Sequence, residues 1–274
     1  MEHLHLGFIG NKRKNLIVSL LILILLLSIF ALKGKNMANF HTHITVAAVA
    51  SVSVAIILAG SGIVEPGFAV LLCALGTLGG ILPDIDSDHS TSIKIIFHCF
   101  AIGLAFLVTF ALLSHYSILI CLIVWFGVYL AVLFIVQPIF KNFTVHRGVI
   151  HSIPMAVFVG CLSSSFCFYF WKYGARESWL VGIFVTFGFM VHLILDEMYS
   201  VDLSNAYIKR SFGTACKVYS QQFMLSFAIL YGLLVASFFV VPRYIVLKNE
   251  IFTLKNYHKI ESRLLPSLTQ AKSV

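Results

Sequence analysis

A chain of 274 residues, 59% of them hydrophobic and 11% charged, lacks the polar surface that a water-soluble domain of that length needs. Its formal net charge of +8 is spread over loops and termini, which suits anionic lipid headgroups better than a nucleic-acid surface. The six cysteines form no C-x-x-C pair and five lie inside apolar runs, so they read as small hydrophobes rather than as disulfides or metal ligands.

Apolar runs of about 20 residues cross the ~30 Å hydrocarbon layer of a bilayer. The first run, Leu16 to Leu32, is flanked by Lys12, Arg13 and Lys14 and by Lys33 and Lys35. Residues 1–36 therefore read as an N-terminal extension or a signal-anchor-like segment, with Met37 as an alternative start. Seven further spans are expected near Ile44–Gly60, Pro66–Leu82, Ile93–Ser114, Tyr116–Phe140, Ile153–Trp171, Ser178–Met198 and Phe223–Val241. Pro83 cannot continue a helix, Ser90, Thr91 or Ser92 can cap the next one, and Ser152 followed by Pro154 marks another start. The expected fold is all-α: a polytopic transmembrane helical bundle of about seven spans. Residues 37–241 form its membrane-embedded domain. Residues 242–274, with Arg243, Lys248, Lys255, Lys259, Arg263 and Lys272, form a basic polar tail.

Four polar clusters interrupt the apolar chain: His41/His43, Asp84/Asp86/Asp88/His89, His146/Arg147/His151 and His192/Asp196/Glu197. Two expected spans separate each cluster from the next, and an even number of crossings returns the chain to the same face. All four clusters are therefore expected on one side of the membrane.

His192 and Asp196 are four apart on an expected helix, which puts both on one face in a common metal-ligand spacing; a buried His–Asp hydrogen bond is the plainer alternative. His146 and His151 are five apart and suit loop ligands, with Gly148 between them. Asp84 and Asp86 alternate in an expected non-helical segment, where one can ligate while the other bridges or holds a histidine. The D-x-D-x-D pattern lacks the glycine and final glutamate of a calcium loop. His43 follows His41 in an H-x-H spacing; an interfacial polar anchor is the alternative. His98 and His115 read as packed or interfacial. Imidazole and carboxylate without thiolate suit zinc, manganese or iron(II), and more than four donors favour two ions. The metal candidates are His43, Asp84, Asp86, His146, His151, His192 and Asp196. Asp86 and Arg147 are the candidate catalytic groups, Arg147 as a bidentate clamp on an anionic substrate oxygen.

"MANFHTHI", "GTLGGILPDIDSDHS", "HRGVIHS" and "HLILDEM", in this order between apolar spans, resemble the YdjM-type inner-membrane metal-dependent hydrolases. That family is thought to be distantly related to zinc-dependent phospholipase C and single-strand nucleases. The resemblance covers about residues 37–200 and implies a membrane-embedded hydrolase whose ligand pattern falls on the seven candidates named above, with His41 less securely matched.

The expected protein is thus a multi-pass hydrolase of the inner membrane, using zinc or manganese on a phosphoester or other ester of a lipid-borne or membrane-proximal substrate. Its expected partners are membrane lipid and a phosphorylated substrate, not nucleic acid. A transporter that uses the His/Asp cluster as an ion path is the alternative, and a scaffold with a structural metal the third. Loop charges lean the site to the cytoplasmic face, but the basic tail would fall on the other side, so either the last apolar segment does not cross fully or the orientation is reversed.

Overall fold

The computed structural model describes residues 40–86, 91–139, 148–202, 207–208, 213 and 215–264. The Leu16–Leu32 segment, Asp88, His89, Ser90, Lys141, His146, Arg147, Lys209, Arg210 and the last ten residues lie outside the described residues.

The chain enters α1 (Phe40–Gly60) and turns at Gly62 into α2 (Pro66–Gly79). Gly62 has a φ of 64°, a left-handed conformation that costs glycine nothing. Pro66 occupies the first turn of α2, where its missing N–H is not needed. A 3-10 turn (Leu82–Asp86) follows, then α3 (Thr91–Leu112) and α4 (Ile118–Ala131). The α4 helix runs on through a π-helical turn (Val132–Val136). Next come α5 (Ile153–Tyr169) and α6 (Ala175–Tyr199). A two-residue antiparallel ladder pairs β1 (Val201–Asp202) with β2 (Tyr207–Ile208). Then come α7 (Met224–Phe238) and α8 (Leu254–Leu264).

Among the described residues, five helices have the length and composition to cross a membrane: Phe40–Gly60, Pro66–Asp84, Ile118–Ile139, Ala175–Tyr199 and Gln221–Phe238. The all-α expectation holds. Of the other two expected spans, α3 runs 22 residues with Phe97–Phe110 as its apolar stretch, and α5 is shorter, Ile153–Tyr169. For α5 the reason is local. Ser152 caps it by accepting from the Met155 N–H at 3.4 Å, and its 17 residues rise only about 25 Å.

The centre of the bundle is α6. It runs antiparallel to α1, so Ala47 and Ala50 meet Val191 and Leu195 at one end, and Ala55 meets Leu180 and Phe184 at the other. These ends define a near rim, where α1 begins and α6 finishes, and a far rim opposite. Close approach is built from glycine. A Cβ on Gly188 would overlap the Gly76 carbonyl of α2, and one on Gly182 would press on the Gly160 carbonyl of α5. Small residues of this kind let membrane helices pack backbone to backbone. The α7 helix packs on α5, while α3 and α4 pack mainly on each other and α3 meets the Leu82–Asp86 turn.

Because Gln221–Phe238 is long enough to cross, the tail lies at the far rim. Trp179 Nε1, in the first turns of α6, donates to the Pro242 carbonyl at 3.1 Å. The option of an incomplete last span is therefore set aside.

Candidate metal centre

At the near rim four segments deliver side chains to one point. His43 lies in the first turns of α1, Asp84 in the 3-10 turn after α2, His151 just ahead of the Ser152 cap of α5, and His192 and Asp196 in the last turns of α6. The Asp84 segment departs from the non-helical course expected of it. The α-helix ends at Gly79, ahead of Pro83, and the chain then winds as a 3-10 turn.

All three imidazoles are buried. His43 Nε2 lies 3.3 Å from Asp196 Oδ1, and His151 Nε2 3.5 Å from Asp196 Oδ2. His192 Nε2 lies 3.5 Å from Asp84 Oδ1 and 3.8 Å from Asp196 Oδ2. The rings of His43 and His192 stack with centroids 3.8 Å apart. The other nitrogen of His192, Nδ1, lies 2.7 Å from the Gly80 carbonyl oxygen. That partner accepts only, so Nδ1 carries the proton and Nε2 presents a lone pair to the carboxylates.

These residues fit a divalent ion. Tetrahedral bonds of about 2.0–2.1 Å set donor atoms roughly 3.4 Å apart, close to the spacings here and long for hydrogen bonds. Two triads, His43/His192/Asp196 and Asp84/His151/His192, each bring their donor atoms within 4.8 Å of one another. Buried His192 Nε2 has no hydrogen-bond partner among the described residues, a costly arrangement unless a cation takes the lone pair. Both triads draw on His192, whose Nδ1 is engaged with Gly80. The five described donors therefore form one centre, with Asp196 offering a different oxygen to each side. The backbone carbonyl on the far nitrogen of a histidine is a familiar way to orient a metal ligand.

Of the seven metal candidates, the structure brings together His43, Asp84, His151, His192 and Asp196. The side chain of Asp86, and all of His146 and Arg147, fall outside what is described. His41 is exposed on α1 and its carbonyl accepts from the Thr45 hydroxyl. His98 is exposed and pairs with the Tyr129 hydroxyl at 2.9 Å, and His115 is exposed. Glu197 turns to the following loop, where it accepts from the backbone N–H groups of Gly213 and Ala215. It ties that segment down beside the centre. Cys216, in the same loop, has its thiol pushed up by burial and further by Glu197 and Asp196. The sequence reading missed the Gly80 carbonyl. Its only trace is the pair Gly79–Gly80 at the helix end, which lets α6 approach closely enough for His192 to reach it.

The family described as YdjM inner membrane protein matches residues 37–207. The chain belongs to that family. The match spans all five converging ligands and the helices that carry them. With its apolar helices of spanning length, this YdjM family member is a multi-pass protein of the inner membrane. No curated protein and no solved structure matches it.

Proposed function

We propose that the protein is a metal-dependent hydrolase embedded in the inner membrane. It cleaves an ester, most readily a phosphoester, of a lipid-borne or membrane-proximal substrate. The observation that carries this reading is the convergence of three buried imidazoles and two carboxylates at one rim, with His192 Nε2 left to accept a cation.

Imidazole and carboxylate donors suit zinc, with manganese as the next choice. A divalent ion held there supplies a Lewis acid and brings the pKa of bound water toward neutrality. The chain does the rest. Gly80 fixes the tautomer of His192. Asp196, in contact with all three histidines, holds the imidazoles around one point. Asp84 is the more exposed carboxylate, at 19% against 10% for Asp196, so its oxygens face the side from which water and substrate arrive. There a carboxylate accepts a proton from attacking water. Asp86 and Arg147 keep their proposed parts, an acidic group beside the reacting centre and a clamp on the substrate anion. A second ion would draw on Asp86 and His146.

A transporter would place such residues at mid-membrane, between broken helices. Here they sit at helix ends, which favours surface chemistry over an ion path.

The test is metal analysis of the purified full chain, followed by turnover on phospholipids and lipid phosphates. Wild type should carry at least one zinc or manganese ion per chain. His192→Ala and Asp84→Ala should lose metal and reduce turnover by ~100-fold or more. Folded wild type that takes up no divalent metal would sink the reading. Metal-coupled flux in vesicles without hydrolysis would hand it to the transporter.

A further inference from the structure

The far rim holds a second feature, independent of the metal centre: a cavity of about 450 Å³ between α1, α6 and the tail. Leu58 of α1 and Leu180, Ile183 and Phe184 of α6 form its inner wall. Phe252 and Ile260 close it from the tail side. The size is that of a small-molecule site, and the walls are almost wholly hydrocarbon.

Its lining has a direction. Arg176, Leu180 and Ile183 all line it and recur at helical spacing along one face of α6. Arg176 is in the first turn of α6, at the level where the span meets water, and Ile183 is roughly 10 Å deeper along the helix. The site therefore offers a cation at headgroup depth and hydrocarbon below it. The guanidinium donates to the Ile63 carbonyl at 2.5 Å and lies 3.5 Å from Glu177. Arginine has five N–H donors in a fork that matches phosphate oxygens, so these contacts leave donors for an anion.

The surroundings agree. In α8, Tyr257 and Ile260 line the cavity, while Lys255, Lys259 and Arg263 recur every four residues along the opposite face. A helix so divided lies in the interface with its cations among headgroups. Lys172, Arg243 and Lys248 add charge to the same rim.

We propose that this cavity binds one phospholipid, an acyl chain occupying the hydrocarbon slot and the phosphate seated on Arg176. The basic rim selects an anionic headgroup. The lipid joins the tail to the bundle and is not a substrate of the metal centre, which opens on the other rim.

The experiment is native mass spectrometry of the full chain released from nanodiscs of phosphatidylglycerol and phosphatidylethanolamine. Wild type should retain one phosphatidylglycerol per chain through delipidation. Ile183→Trp and Ile260→Trp, which fill the slot from opposite walls, should each cut that retained fraction about tenfold. Arg176→Gln should abolish the preference for phosphatidylglycerol. Adding phosphatidylglycerol back to delipidated wild type should raise its melting temperature, a readout that needs no variant. Lipid counts unchanged by both tryptophan variants would mean annular lipid only and would overturn the proposal, as would a flat melting response.

Discussion

The central helix α6 and the α3–α4 hairpin are both built for a membrane, and they treat it in opposite ways. In α6, 72% of the spanning window is buried inside the protein, against 11% for the window Ile118–Ile139 that contains α4. Yet α4, "ILICLIVWFGVYLA", is the more apolar, while α6 carries Arg176, Glu177, Ser178, Thr186, His192 and Asp196. In water the most apolar helix would be the most enclosed. In a bilayer the solvent is itself hydrocarbon, so apolar surface needs no cover, whereas small and polar groups need protein partners. Burial here follows the glycines and the ionisable residues.

That contrast can be broken by one matched pair. Gly188→Leu drives a side chain into the Gly76 carbonyl at the α2–α6 crossing, while Gly127→Leu in α4 meets open space. The first should cost about 3 kcal/mol or more and loosen the Gly80–His192 contact. The second should stay within about 0.5 kcal/mol of wild type. Thermal unfolding in detergent measures both, and equal losses would erase the distinction. A smaller effect is expected from Glu197→Ala, which frees the backbone N–H groups of Gly213 and Ala215. It should cost about 1 kcal/mol and speed proteolysis between β2 and α7; an unchanged cleavage rate would show that Glu197 does not hold the loop. The smallest change belongs to the hairpin. His98→Phe removes the bond to the Tyr129 hydroxyl, and interhelical hydrogen bonds in membranes average about 0.6 kcal/mol. A loss several times larger would make the hairpin a part of the rigid core.

What the sequence disclosed follows the same physics. Spans were legible because lipid-facing residues are uniformly apolar, and the start of α5 because Ser152 and Pro154 are strong punctuation. That His43, Asp84, His151, His192 and Asp196 share one rim was legible from counting crossings, which needs no knowledge of packing. The shortness of α5 was not legible, since apolar residues continue past Tyr169 into Phe170 and Trp171 after the helix has ended. Nor was the isolation of the hairpin, because a lipid-facing run and a buried run share one alphabet. The role of Glu197 was hidden for another reason: adjacent acidic residues on a helix point in different directions, one to the imidazoles and one to a loop.

The crossing of α7 has a practical corollary. A reporter protein joined behind α8 occupies the compartment opposite the histidines. Fluorescence from a cytoplasmic fusion would assign the chemistry to the periplasm, and alkaline phosphatase activity at the same junction would assign it to the cell interior.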